Sequence, residues 1–275
     1  MNIYNGSKRL EGLWVFPLLG VVAGILAGLL GIGGGLVLVA ALIWLLPWYG
    51  IGEQQVVHAA LASSLASIVL TGASSAWAHH RRGSVMWSTV AWMVPGLLLG
   101  GWLGSGLAVH LNGQVLRWVV AGYCFIAAAQ MAWGGRGAKA ASATTPPPAG
   151  LPMTGAGGVI GAISAVVGIG GGSMTVPLLV WRGVLPVRAV GTSSACGVAI
   201  AIGSALGYIL HAPAGALPAH SIGYVYLPAT IGVAVAAVIA APYGTRLAHA
   251  ISAQSLKRVF AVFMAVMGVS LLLSG

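Results

Sequence analysis

Long apolar stretches separated by short polar turns cover nearly the whole chain. A helix needs about 17 to 25 apolar residues to cross a bilayer, and the two shortest stretches, 36–47 and 173–181, fall well below that length. We predict that each of these two is the far half of a broken helix or a re-entrant piece. The pattern predicts an all-α, polytopic membrane protein of about 8–10 membrane segments, near 13–30, 36–47, 56–78, 85–109, 115–133, 153–167, 173–181, 189–210, 221–243 and 256–274.

The composition supports a membrane protein. Hydrophobic residues make up 59% of the chain and charged residues 5%, whereas a soluble domain carries about 25% charged residues. The chain contains 12 Lys and Arg but only two acidic residues, Glu11 and Glu53. The basic residues lie between apolar stretches, where they act as topology signals. We therefore expect a lipid bilayer as partner and no nucleic acid. Cys124 and Cys196 lie within apolar stretches, so no disulfide is predicted.

A glycine-rich string interrupts the apolar pattern twice. It reads Gly-Ile-Gly-Gly-Gly at 31–35 and again at 168–172. Each glycine costs about 1 kcal/mol against alanine in a helix interior, so we predict that the helix breaks at both places. Unwound backbone within a bilayer is tolerated only where it is buried in protein or lines a wet cavity. Two such breaks point to half-helix ends that meet a bound ligand.

The two halves of the chain repeat the same landmarks in the same order. A helix with paired serines follows each glycine string, at Ser63-Ser64 and at Ser193-Ser194. A proline in a later apolar segment and a Gln-x-x-Arg or Gln-x-x-Lys motif come next in both halves. Duplication therefore divides the chain into an N-terminal tail at 1–12, a first transmembrane repeat at 13–133, a flexible Gly/Ala/Ser/Pro linker at 134–152 and a second transmembrane repeat at 153–275.

The distribution of basic residues indicates how the two repeats are oriented. With four full crossings in each half, the repeats are parallel and the 12 basic residues divide six to six between the two sides. With an odd number of side changes in each half, and the glycine break at the tip of a hairpin, the linker side holds nine and the other side three. Because basic residues accumulate on the cytoplasmic side, the sequence favours an inverted repeat.

The chemistry of the breaks favours an anion. A half-helix N-terminus presents unpaired amides and about half a positive charge, and glycines let an oxyanion approach the backbone. Nearby hydroxyls add donors, whereas no carboxylate lies within an apolar segment. The same groups also serve packing and helix caps, and freed carbonyls offer an alternative site for Na⁺. The predicted substrate-binding residues are Gly31, Gly33, Gly34, Gly35, Ser63, Ser64, Gly168, Gly170, Gly171, Gly172, Ser173, Thr192, Ser193 and Ser194.

Three further residues are candidates for gating or coupling. Arg188 and His58 each lie five residues before the first paired serine, and Pro177 follows the second glycine string. A topology charge for Arg188 and a helix-end position at the headgroups for His58 are the simpler interpretations. Since no apolar segment contains Asp or Glu, coupling is left to Na⁺, to H⁺ through histidine, or to the gradient of the anion alone.

Small residues recur at four-residue spacing, as in Gly20, Gly24 and Gly28 and again in Gly96, Gly100 and Gly104. This spacing lets helix backbones approach closely. We interpret it as packing within one protomer, with a homodimer face as the alternative.

The duplicated Gly-Ile-Gly-Gly-Gly strings, Val176-Pro177-Leu178 and Gly191-Thr192-Ser193-Ser194 resemble the sulfite exporter TauE/SafE family of membrane permeases. The resemblance extends from about residue 13 to 273 and implies movement of small organosulfur or other organic anions across a bacterial inner membrane. The first copy departs from the pattern, since Val37-Leu38-Val39-Ala40 lacks the proline. The return helix of that half is therefore expected to be less sharply defined.

The sequence thus predicts a permease for a small organic or sulfur-containing anion, such as sulfite or a sulfonate, that works by alternating access. The alternatives are an anion channel or carboxylate uniporter, and an intramembrane enzyme or assembly factor. No metal site, cofactor or catalytic residue is predicted, because no HExxH motif or carboxylate pair is present.

Overall fold

The computed structural model describes residues 13–30, 34–133, 146–248 and 253–273. The first half contains α1 (Val15–Leu30), α2 (Gly35–Leu45) with a following 3₁₀ turn (Leu46–Tyr49), α3 (Glu53–Arg81), α4 (Trp87–His110) and α5 (Gly113–Trp133). The second half contains α6 (Leu151–Val167), α7 (Gly172–Trp181), α8 (Pro186–Leu210), the short strands β1 (Ser221–Ile222) and β2 (Val225–Tyr226), α9 (Leu227–Ala248) and α10 (Ala253–Leu273). The fold is all-α and polytopic, as predicted.

Apolar helices form nearly the whole of the described structure. Three of them, α3, α4 and α8, are long and apolar enough to cross a membrane by themselves. Large apolar side chains on the outer surface are exposed, including Leu99, Leu103 and Leu107 along one face of α4. An exposed leucine face of this kind is suited to lipid and not to water.

Each half packs its first helix against the fourth helix of the other half. Helix α4 packs on α6, and α9 packs on α1. Glycines bring these helices close together: a Cβ on Gly104 would lie 2.5 Å from the carbonyl oxygen of Ala162, and one on Gly24 equally close to that of Ala237. The four-residue glycine spacing therefore serves packing within one chain.

The contacts also give the relative directions of the central helices. Ser63 and Ser67 of α3 contact Tyr226 and Thr230 at the start of α9, so these two helices run parallel. Between α3 and α8 the order is reversed, because Ser75 contacts Ser194 whereas Gly72 lies against Val198. Equivalent helices of the two repeats thus pack antiparallel at the centre of the molecule. Inversion of the whole repeat stays a prediction.

Two local features differ from the sequence pattern. The apolar segment expected at 221–243 begins with an antiparallel ladder that pairs Ser221 with Tyr226, and helix α9 starts only at Leu227. Helix α2 forms a full 11-residue helix although it lacks the proline of α7. Since eight of its residues are buried, packing is sufficient to define it.

Candidate functional site

The second glycine string forms a sharp, buried break between α6 and α7. Gly168 ends α6 with φ 78°, and Gly171 precedes α7 with φ 70°. Both angles lie in the left-handed region that only glycine adopts without strain. The predicted helix break is therefore present at 168–171.

Three carbonyl groups at this break are hydrogen-bonded. The Ser164 carbonyl accepts the amides of Gly168 and Ile169, at 2.9 and 3.1 Å. The Ala165 carbonyl accepts the buried Tyr208 hydroxyl at 3.1 Å, and the Gly168 carbonyl accepts the Ser64 hydroxyl at 3.1 Å. These three carbonyls thus have donors from the protein itself, whereas the described structure shows none for the last two carbonyls of α6, those of Val166 and Val167.

Several amide groups on the other side of the break lie in buried residues and have no acceptor in the described structure. Met174 and Thr175 both donate to the Gly171 carbonyl, which begins the hydrogen-bond pattern of α7. Within the part of the chain that the structure describes, no acceptor is found for the four preceding amides, those of Gly170, Gly171, Gly172 and Ser173. A helix N-terminus with unpaired amides carries a partial positive charge.

Hydroxyl groups without a partner lie in the elements around this end of α7. Thr175 in its first turn, Ser164 in α6 and Ser193 in α8 are buried, and their side-chain oxygens form no hydrogen bond in the described structure. The Ser164 oxygen is 3.3 Å from the position of a Cβ on Gly171. The Ser173 hydroxyl is hydrogen-bonded to Tyr123 of α5. Buried hydroxyls without partners are uncommon in proteins, and here they accompany unpaired amides.

The two glycine strings meet at α3. A Cβ on Gly35 would lie 2.9 Å from the carbonyl oxygen of Gly168. The Ser64 hydroxyl lies 3.2 Å from the Gly35 carbonyl and 3.1 Å from that of Gly168. Gly34 packs on α1, where a Cβ would lie 2.7 Å from the Ala23 carbonyl. Gly31 and Gly33, which are also predicted site residues, lie outside the described residues.

The remaining predicted hydroxyls have other partners. Ser63 accepts the amide of Tyr226 just before α9, and Thr192 accepts the amide of Met86 just before α4, both at 3.0 Å. Ser194 donates to the Val190 carbonyl and lies 3.2 Å from the Ser75 hydroxyl. The serine motif pairs Ser63 with Ser193. In the structure, however, Ser63 is equivalent to Thr192, one residue earlier. Ser64 is then equivalent to Ser193.

The candidate gating residues occupy three different environments. His58 is buried, with Nε2 3.1 Å from the carbonyls of both Ala108 and Leu111, and its ring stacks on Tyr224. Hence it is not exposed at the headgroups. Arg188 is half-buried in the first turn of α8. Pro177 lies inside α7, where it has no amide to donate to the Ser173 carbonyl.

Sequence reasoning missed four residues around the break. Ser164 and Thr175 are single hydroxyls in apolar half-helices, and the pattern that would find them is their position within four residues of the glycine string. Tyr123 and Tyr208 come from α5 and α8, far away in the sequence. No local pattern links these tyrosines to the break, because only helix packing brings them there.

Apolar helices in two interlocked halves, with a break described between α6 and α7, define a multi-pass membrane protein. The sequence pattern that defines the family "Sulfite exporter TauE/SafE" matches residues 16–271, and the chain belongs to this family.

Curated relatives carry transporter names. A "Probable membrane transporter protein" of Haemophilus influenzae is 33% identical over 257 residues, which cover 93% of this chain and 96% of the relative. One of Methanocaldococcus jannaschii is 25% identical over 96% of this chain and 97% of its own length. One of Bacillus subtilis is 30% identical over 38% of this chain and 40% of its own length. No solved structure matches the chain.

Proposed function

We propose that this membrane transporter moves a small organic or sulfur-containing anion, such as sulfite or a sulfonate, across the bacterial inner membrane by alternating access. One observation carries the proposal: at the buried break before α7, four successive amides have no acceptor in the described structure, and they lie at the positive end of a helix. The break thus offers a group of hydrogen-bond donors. Oxyanions accept hydrogen bonds, so they fit this arrangement.

Two features disfavour Na⁺ beside the four amides. A sodium ion needs freed carbonyls, but the carbonyls of Ser164, Ala165 and Gly168 already accept hydrogen bonds. The partial positive charge at the start of α7 would also repel it. Coupling to Na⁺ would have to use other carbonyls at the break, such as those of Val166 and Val167, for which the described structure shows no donor. Coupling to H⁺ requires a titrating group other than an intramembrane carboxylate.

The driving force for export needs no coupling ion. An anion that leaves a negative-inside cell gains about 2.3 kcal/mol per charge at 100 mV. The sulfur chemistry rests on the family description, which names a sulfite exporter. The relatives' names give no substrate.

An inverted repeat completes the proposal. Antiparallel packing of α3 on α8 and parallel packing of α3 on α9 are the directions that inversion requires. With inversion, we expect the ends of α3 and α5 and the start of α8 to lie on one side, and the order of the basic residues along the sequence then assigns nine of the 12 to that side. By the positive-inside rule this side is cytoplasmic.

Binding and transport by the purified protein test the proposal. We expect sulfite, sulfonates or small carboxylates to raise the apparent unfolding temperature without Na⁺, because a ligand that binds only the folded state stabilises it. In proteoliposomes the active anion should saturate and show counterflow, which a channel does not. A stabilisation that appears only with Na⁺, or transport without saturation, would contradict this mechanism.

Two conservative substitutions locate the site. Thr175→Val and Ser193→Ala remove buried hydroxyls that have no partner in the described structure, so folding should be unaffected. We expect each to weaken anion binding by about tenfold to a hundredfold, as for one lost hydrogen bond to a charged group. Thr89→Val is the matched control, since Thr89 is also buried without a partner but lies in the first turn of α4. Equal effects of all three variants would place the site elsewhere.

A further inference from the structure

The end of α3, the turn that follows it and the start of α4 carry a compact group of exposed polar and aromatic side chains. Its members, which we call the headgroup cluster, are Trp77, His80, Arg81, Arg82 and Trp87, and all five are exposed. The rings of Trp77 and His80 lie 5.9 Å apart, and those of His80 and Trp87 lie 5.5 Å apart. The histidine is thus held between two tryptophans.

One hydrogen bond sets the chemistry of His80. Trp87 Nε1 donates to His80 Nδ1 at 3.1 Å, and indole nitrogen is a donor only. His80 Nδ1 therefore accepts, so Nε2 of the neutral ring carries the proton and is itself a donor. The neighbouring His79 is turned inward to Ser84, and only His80 belongs to the exposed surface.

The charge of the cluster is not neutralised by a carboxylate in the part of the chain that the structure describes. Within the described residues, neither Arg81 nor Arg82 forms a salt bridge, and Glu53 lies at the opposite end of the 29-residue helix α3. Compensation of the helix dipole accounts for a cation at the end of α3. It does not account for two exposed tryptophans and an oriented imidazole donor beside the arginines.

We infer that the headgroup cluster binds the phosphate of an anionic phospholipid. The two guanidinium groups and His80 Nε2 supply donors for phosphate oxygens, and arginine suits phosphate because of its forked geometry. Trp77 is 63% and Trp87 52% exposed, and tryptophan side chains of this kind lie at the level of the headgroups. The tryptophans favour a lipid over a free anion, since a free anion needs no apolar flank.

Lipid titration of the purified full-length protein tests this inference. In detergent, phosphatidylglycerol should raise the apparent unfolding temperature with saturation, whereas phosphatidylcholine should not. The variant Arg81→Gln/Arg82→Gln should require about tenfold more phosphatidylglycerol for half the effect, because each arginine near an anionic lipid contributes to binding. His80→Phe, which keeps a ring but removes the donor, should shift the same midpoint in the same direction.

The control removes equal charge elsewhere. Arg182→Gln/Arg258→Gln changes two other exposed arginines and should leave the midpoint unchanged. Equal shifts in both double variants would show a general charge effect and overturn the inference. So would stabilisation by inorganic phosphate at the same concentrations, which would identify a site for free anions. Circular dichroism of each variant before titration confirms that the comparison is between folded proteins.

Discussion

Backbone conformation at single glycines decides what the second break can bind. Gly168 and Gly171 turn the chain with positive φ, and this turn separates four open amides from three paired carbonyls. A residue with a side chain at either position would have to change the turn. The partial charge presented to a ligand therefore depends on glycine at these two positions.

Gly171→Ala should destabilise the protein by about 1–3 kcal/mol. A Cβ at Gly171 would collide with Cδ1 of Ile200, and the left-handed φ adds strain. Unfolding in denaturant measures the loss. A bulky residue at Gly34 or Gly171 is expected to abolish transport, but since both glycines are tightly packed, that loss alone does not isolate the binding site.

Gly122 provides the matched control. A Cβ at this position in the helix α5 would meet nothing within 4 Å, so Gly122→Ala should be neutral or stabilising by up to about 1 kcal/mol. Equal destabilisation by Gly122→Ala and Gly171→Ala would contradict the role assigned to the backbone at the break.

At the scale of the helices, one kind of hydrogen bond between the two halves, which we call a tie, occurs twice. Ser63 of α3 holds the amide before α9, and Thr192 of α8 holds the amide before α4. Each hydroxyl joins a central helix of one half to the fourth helix of the other half. The two ties therefore fasten the halves together at equivalent places.

Ser63→Ala and Thr192→Val should each lower the free energy of unfolding by about 1–3 kcal/mol, since each leaves one buried amide without its acceptor. Because the two ties lie in different places, the losses should add in the double variant. Chemical denaturation of the three variants measures this. A double variant no less stable than either single one would show that the ties do not act independently.

Much of the arrangement of the helices is predictable from the sequence. The lengths of the apolar stretches predict the helices, because a helix needs a fixed number of apolar residues to cross a membrane. The glycine string predicts the break at 168–171, because glycine is unfavourable inside a helix. The one-residue shift that pairs Ser63 with Thr192, the ladder at Ser221–Tyr226 and the tyrosines at the break depend on packing between distant segments. No local pattern records such packing.

At the scale of the whole molecule, alternating access requires the two halves to move against each other. Ser75 of α3 and Ser194 of α8 lie across this interface, with their hydroxyl oxygens 3.2 Å apart. Ser75→Cys/Ser194→Cys should form a disulfide on oxidation and stop counterflow in proteoliposomes, and reduction should restore it. The single-cysteine variants are the controls, and full transport by the oxidised double variant would exclude movement between α3 and α8.

The proposed orientation is tested by labelling intact cells with a membrane-impermeant maleimide. Arg182 and Ala214 are both exposed and lie at opposite ends of the molecule, before and after α8. We expect Ala214→Cys to be labelled from outside and Arg182→Cys only after the cells are opened. Native Cys124 and Cys196 are buried and should stay unlabelled. The reverse pattern would invert the assigned orientation.

The packing of the first helix of each half on the fourth helix of the other half also has a consequence for biosynthesis. The glycine-lined face of α1 is filled by α9, which the ribosome produces about 200 residues later, or about 10 to 40 s at ordinary elongation rates. During that interval the glycine-lined face of α1 is covered only by lipid or by the insertion machinery, although other parts of the helix already contact Tyr49 and α2. Maturation of this protein is therefore limited by the arrival of its last helices, and a chain that stalls before α9 should be a substrate for membrane proteases.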